Sequence, residues 1–447
     1  MLRRPLVLSL ALALASAPAF AEDLMQTYEL ARTNDPQLSI AESQRLSTRE
    51  GQVQARAALL PQVSGTASLG RNHAAGETGS GRSRTYTGRL SQTVVDLGAI
   101  SALRAQRDYS MAADYDLEAA SDELIARTAN AYFNVLVALE TLNAAEAAEA
   151  AFQKQFDYAD KRLEVGLAPI TDVHEARAQY DGARARTILA RNALQDAYQA
   201  LAEITGQPIY ALRALPEDFR PELPAGGDAD AWVQRALEAN PGLRAAQYDL
   251  QGAQHEVQRA RAGHLPTLDV GVTYNNKTGW YSPAPGQIEP TDEGHSIGLT
   301  LTVPIFSGGA TQSRVRQAIA GRDIAQDQLE QGRRAIERNT RYAYQALVAG
   351  ISEVEARRLA LVSAQSAYDA SQVGLEVGTR TVVDVLINQQ NLFNAALEYA
   401  LARYNFLQNR LLLAQAAGTL GIDDVREING LLSVEAAMPE TRVGNDG

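Results

Sequence analysis

The second half of this chain repeats its first, and that constrains the fold more than any other feature. Residues 162–206 align without a gap on 374–418, and thirteen of those 45 positions are identical. Val165-Gly166 recurs as Val377-Gly378, Asp172-Val173 as Asp384-Val385, and Leu189-Ala190-Arg191 as Leu401-Ala402-Arg403. Upstream, Asp35-Pro36-Gln37-Leu38 answers to Asn240-Pro241-Gly242-Leu243, and Leu60-Pro61 to Leu265-Pro266. A chain built twice on one plan predicts a pseudo-twofold object.

Each half reads as helix, strand, loop, strand, very long helix, tip and return helix. The first repeat, 22–206, holds predicted strands at 62–70 and 86–96, a long helix over 98–163 and a return helix over 170–205. The second, 246–418, holds strands at 267–275 and 295–306, a long helix over 310–373 and a return helix over 381–417. A linker, 207–245, joins them, with a short helix at Asp228 to Asn240. A polar tail, 419–447, follows and reads as disordered after Leu432. No proline interrupts either long segment, and at 1.5 Å per residue each helix reaches on the order of 100 Å. Helices of that length form coiled coils or tubes. The run Ala144 to Ala151 predicts close backbone approach.

The strands alternate. Leu268, Val270, Val272 and Tyr274 are spaced by Asp269, Gly271 and Thr273, and Ile297, Leu299, Leu301, Val303 and Ile305 by small or polar residues. Apolar out and polar in, over roughly ten residues, is the pattern of a transmembrane barrel strand. A soluble hairpin over a core gives the same alternation. Four strands cannot close a barrel, for which about eight is the minimum, and open edges are not tolerated in lipid. Strands in a membrane therefore demand that several copies pool them.

Composition narrows the function. Residues 1–21 read as a secretory signal peptide: Arg3-Arg4, an apolar run from Leu6 to Ala17, then Ala19-Phe20-Ala21. The net charge of −12 leaves no basic face for nucleic acid. No cysteine is present, so disulfides and N-acylation at the signal junction are excluded. No phosphate loop, H-E-x-x-H or G-x-S-x-G occurs. The five histidines are scattered and off metal spacing. The reading is a non-enzyme with no catalytic residue, no metal and no cofactor.

The informative polar residues cluster at two tips, Val165 to Val173 and Val377 to Val385. Gly166 and Gly378 end the outgoing helices. Asp172 and Asp384 lie at the starts of the incoming helices, where a carboxylate favours the helix dipole. In an oligomer the same residues repeat around a mouth, and an acidic ring selects cations. A passive conduit and a periplasmic or surface coiled-coil scaffold or adhesin both fit to this point.

The tips closely resemble the TolC family of outer-membrane efflux channels. The resemblance runs from Asp23-Leu24-Met25-Gln26-Thr27-Tyr28 through Thr128-Ala129-Asn130-Ala131-Tyr132-Phe133 to Gly263-His264-Leu265-Pro266 and Pro304-Ile305-Phe306-Ser307-Gly308-Gly309. Its most specific string is Val377-Gly378-Thr379-Arg380-Thr381-Val382-Val383-Asp384-Val385-Leu386. It implies a mainly α homotrimer whose 12-stranded barrel in outer-membrane lipid continues into a periplasmic helical tunnel. An equatorial belt would take 22–40 and 207–245. A periplasmic adaptor protein and an inner-membrane efflux pump or ABC exporter would dock at the tip and drive drug efflux or type I secretion. The resemblance places Asp384 at the constricting selectivity ring and Arg380, Asp172 and Thr171 in a latch that holds the mouth shut until the helices untwist. A second ring Asp is replaced here by Ile387, and a latch tyrosine by Leu375, which implies a gate that opens more easily.

Overall fold

The structure, a computed structural model, describes residues 23–73, 80–167, 169–216, 218–281 and 291–436. The signal segment, most of both strand-connecting loops and the end of the tail lie outside the described residues. In chain order the elements are α1 (Leu24–Asn34), α2 (Pro36–Ala57), β1 (Gln62–His73), β2 (Ser80–Val95), α3 (Leu97–Glu164), α4 (Ile170–Thr205), β3 (Arg213–Ala214), α5 (Ala229–Ala239), α6 (Pro241–Ala262), β4 (Thr267–Tyr281), β5 (Thr291–Thr302), α7 (Ala310–Glu376), α8 (Val382–Ala416), α9 (Ile422–Leu431) and β6 (Val434–Glu435). The chain is mainly helical with a small sheet portion.

Local chemistry sets the helix starts. Asp35 and Asn240, repeat-related, each accept the N–H of the third residue on, from Leu38 and Leu243, and each is followed by a proline at the first helical position. Asp96 caps α3 through Gly98 and Ala99. α3 and α7 run 68 and 67 residues.

All four predicted strands extend further toward the loops. β1 reaches residue 73, β2 begins at 80, β4 reaches 281 and β5 begins at 291. The stretch 80–85 reads as loop because it is Ser, Gly, Arg and Thr, but ladder hydrogen bonds are made by backbone and need only a partner on each side. At its helix-side end β5 stops short of the prediction, at Thr302: Pro304 has no N–H to donate. The tail differs too. α9 was not anticipated, and β6 pairs with β3 (Ala214 with Val434), while the Ala436 N–H donates to the Leu212 carbonyl.

The large sheet is antiparallel in the order β1-β2-β4-β5. Its register places Val63, Leu90, Val272 and Ile297 in one cross-strand row. One residue along, Ser64, Arg89, Thr273 and Ser296 form the next row on the opposite face. In its helix-side half one face is apolar, and the other face is polar or small throughout. Val63 is 79% exposed and Ile297 74%, so the apolar face has no protein over it. No helix of the described residues is long and apolar enough to cross a membrane.

Each strand runs into its own helix: α2 into β1, β2 into α3, α6 into β4, β5 into α7. The helices keep the strand order, α3 lying on α2 and α6, and α6 on α7. Further along, α4 packs on α3, and α8 packs on both α7 and α3. The long elements of the protomer thus form a layer four wide from the sheet to the tips, with α1, α5 and α9 packed on it midway.

The main core sits halfway along the helices. Leu124 to Leu142 of α3 and Tyr399 to Ala414 of α8 pack with α1, α9, residues 209–219 and Trp232. Tyr132 anchors the linker: its hydroxyl donates to the Arg213 carbonyl at 2.9 Å and accepts the Arg213 N–H at 2.8 Å. Arg127 grips Asp35 with two hydrogen bonds, 3.2 and 2.8 Å. Burial alone would raise the Asp35 carboxyl, but those bonds and the Leu38 N–H hold it below its ordinary value.

Candidate functional site

The two tips share a turn and differ in how the next helix is capped. At each, the chain leaves the long helix through a glycine in the left-handed region, Gly166 at φ 75° and Gly378 at φ 76°. The Leu167 N–H returns to the Arg162 carbonyl at 2.7 Å, and the Thr379 N–H to the Gly374 carbonyl at 2.8 Å. A side chain at either glycine would strain this turn.

At the second tip Thr381 is the N-cap of α8 and forms a capping box with Asp384. The Thr381 N–H and hydroxyl both donate to Asp384 Oδ2 at 2.8 Å, and the Asp384 N–H donates back to Thr381 Oγ1 at 3.2 Å. Among the described residues no hydrogen bond reaches Asp384 Oδ1. The Thr381 bonds, backbone first, and the nearby Arg380 charge hold the carboxyl below its ordinary value.

At the first tip the residue equivalent to Thr381 is Pro169, which caps α4 with no side-chain hydrogen bond. Asp172, the counterpart of Asp384, therefore has no threonine to engage. Among the described residues its carboxylate makes no hydrogen bond and no ion pair. Thr171 is exposed beside it. Arg380 is exposed and lies against Gly374, where an added Cβ would meet its Cγ at 2.6 Å. Within one protomer Arg380 and Asp172 form no ion pair among the described residues. Leu375 is half-buried and Ile387 is 54% exposed.

Each hairpin is bound internally. In the first, Val173 and Ala176 of α4 pack on Ala159 of α3, and the Phe156 and Tyr180 rings stack 6.3 Å apart at 3°. In the second, buried Gln389 of α8 donates to the Tyr368 hydroxyl of α7 at 3.1 Å. The contact between hairpins is thinner. Leu386 of α8 enters a small cluster with Phe152, Ala148 and Ala183, and Arg186 of α4 donates to Gln390 of α8 at 2.6 Å. Behind that bond lies a cavity of about 540 Å³ bounded by Ala144, Ala145, Ala148, Ala190 and Phe393. The expected close backbone approach along Ala144 to Ala151 is corrected on this side: small side chains leave space that α8 does not fill. Arg186 and Gln390 escaped the sequence reading. The polar run Asn388 to Asn391, interrupting an otherwise apolar α8, was their one visible trace.

The chain matches the outer membrane efflux protein family over residues 27–207 and 232–419. It is 36% identical over 441 residues to outer membrane protein TolC of Escherichia coli strain K12, an alignment covering 96% of this chain and 89% of the relative. To the proteases secretion protein PrtF of Dickeya chrysanthemi it is 28% identical over 444 residues, covering 96% and 95%. Among solved structures, the outer membrane channel CmeC of Campylobacter jejuni superposes with a TM-score of 0.79 at 22% identity, over 92% of this chain and 90% of that one. That last likeness concerns the fold.

Proposed function

Because this chain belongs to the outer membrane efflux protein family, an outer-membrane exit channel for efflux and type I secretion, we propose that three copies close one pore and gate it at their helical tips. The observation that carries this reading is the open layer. Among the described residues β1 and β5 each offer an unpaired edge, and the helices keep the same side-by-side order, α7 meeting only α5 beyond α6 and α8. Apolar residues stand exposed on the two outer helices, Ile40, Leu46 and Val53 on α2, Ile324, Tyr342 and Leu359 on α7. A heterologous contact of one copy's α7 flank with the next copy's α2 and α4 flank closes into a ring.

Barrel size favours three copies over two. Two would give about eight strands, an interior filled by side chains. Three give twelve strands above a tube of long helices. The channel has no energy source of its own, so a periplasmic adaptor and an inner-membrane pump or exporter must supply it. Detergent extracts of outer membranes should yield a species of three chain masses that forms pores in planar bilayers. A stable, folded monomer in buffer without detergent would reject the reading.

The latch follows from the same closure. Among the described residues Asp172 and Arg380 are both without an ion pair in the protomer, so we assign their pairing to the seam between neighbouring copies. An exposed pair shifts an equilibrium by roughly 1.5- to 5-fold, and three seams acting together by roughly 3- to 100-fold. Arg380→Ser should therefore raise the open fraction by that range in single-channel recording. Conductance unchanged from wild type would show that the pair does not hold the gate.

A further inference from the structure

The apolar face of the sheet changes character toward the loop end. From the helix end upward, successive rows carry Leu268 with Leu301, Val270 with Leu299, and Val272 with Ile297 and Leu90. Tyr274 and then Tyr86 follow, two rows of aromatic side chains at the upper margin. Above them the same face carries Arg84, opposite Leu69, and then Arg82, directly opposite Arg71. Residues two apart on a strand share a face, so all three arginines project outward, on the side of the leucines and valines.

The height is right for a headgroup. Leu268 to Thr278, the partner of Arg84, is ten residues, or about 34 Å along the strand. At a typical barrel tilt this is about 25 Å of height, the thickness of a barrel's apolar band. The arginines therefore lie at the outer water-lipid boundary, with the tyrosines just beneath, where aromatic girdles sit. The Arg84 guanidinium rests over the Tyr86 ring at 5.2 Å, which holds it at this level. Arg71 and Arg82 are exposed.

Like charges set directly opposite each other oppose strand pairing, and here they stand in a chain with a net charge of −12. Among the described residues the acid on this face in neighbouring rows is Glu293, which accepts the Tyr274 hydroxyl at 2.7 Å on the far side of β4. An anion between the strands resolves the repulsion, and the guanidinium fork fits phosphate oxygens two at a time.

We propose that Arg71, Arg82 and Arg84 form a binding site for the phosphate groups of a phosphorylated glycolipid in the outer leaflet. The site rests on the barrel reading above: it needs this face in lipid and the loops outside the cell. It adds a specific lipid contact to each protomer, at the end of the barrel farthest from the gate.

The test uses the full chain purified from outer membranes in mild detergent, with bound lipid read by native mass spectrometry. Wild-type oligomer should retain phosphorylated glycolipid, and the triple variant Arg71→Gln, Arg82→Gln, Arg84→Gln should retain about tenfold less, the effect of losing one charge-assisted hydrogen bond or more. Equal retention by a variant of unchanged oligomer size overturns the site and leaves the channel reading intact. A monomer in the wild-type preparation overturns both. A second arm needs no variant. Delipidated wild type in phosphatidylcholine vesicles should gain thermal stability when lipid A is added and gain none from dephosphorylated lipid A. An equal gain from inorganic phosphate alone would show an ion site, not a lipid site, and overturn the assignment.

Discussion

Ile297→Arg is expected to abolish assembly in the outer membrane, whereas Thr300→Arg, three residues along on the opposite face, is expected to leave it intact. Ile297 lies near the middle of the apolar face, opposite Val272, and is 74% exposed in the protomer. An arginine on the lipid face near the bilayer midplane costs about 2–4 kcal/mol. The three copies of the proposed ring would multiply this to about 6–12 kcal/mol, comparable with the whole stability of a typical domain. Thr300 points the other way and stands directly opposite Asp269, so an arginine there gains a cross-strand partner of opposite charge. The measurement is the amount of detergent-resistant oligomer in the outer-membrane fraction. Depth separates lipid from a protein core. Thr291→Arg, on the same face but in the Arg84 row, should be tolerated, because the cost falls to about 0–1 kcal/mol near the interface. Equal loss from positions 291 and 297 would point to a packed protein surface, and no loss from 297 would refute the lipid face.

Much of this architecture is open to reading in the sequence because the signals are long. No proline breaks 98–163 or 310–373, and the helices there persist for 68 and 67 residues. The alternation in β4 and β5 is strong because Val, Leu and Ile occupy every second place. β2 is harder. Its loop-side third, Ser80 to Thr85, carries no apolar residue, and only pairing with β1 and β4 keeps it extended. α9 has ten residues, five of them charged or amide, with Val425 and Ile428 as its buried anchors. Too few turns are present for a period to emerge. β6 is two residues long, and its register depends on a linker more than two hundred residues away.

The tips show the same division. Gly166 and Gly378 announce their left-handed turns, and the internal repeat aligns Asp172 with Asp384. Alignment makes the two aspartates look equivalent, yet Pro169 in place of Thr381 gives them different duties: Asp384 caps, and Asp172 has no side-chain partner among the described residues. That difference is visible in the letters only once the cap is drawn atom by atom. Arg186 and Gln390 were out of reach for another reason. Their bond joins α4 to α8, and no spacing along the chain states that those helices are neighbours.

Asp384→Asn is expected to remove the cation preference of the pore, and Thr381→Ala to make that preference acid-sensitive. In the proposed trimer three Asp384 side chains would face one mouth, and a ring of fixed negative charge favours cations and lets multivalent cations block. Asparagine keeps an oxygen to accept the Thr381 bonds, so it removes charge while leaving the start of α8 capped. Alanine removes both and confounds the two effects. The sign of the pH dependence follows from the geometry. Asp384 titrates below its ordinary value of 3.8 because Thr381 and Arg380 favour the charged form. The stabilisation they provide is in full force above that ordinary value and is lost as pH falls through the lower, folded-state value. Cation preference in planar bilayers should therefore stay flat from neutral pH down to about pH 4 and decline only below it. In Thr381→Ala the hydroxyl's bond is gone while the backbone N–H bond and the Arg380 charge remain, and the decline should begin at a somewhat higher pH. If Asp384→Asn keeps wild-type selectivity, the carboxylate serves only its cap, and the constriction must draw its charge from elsewhere around the mouth.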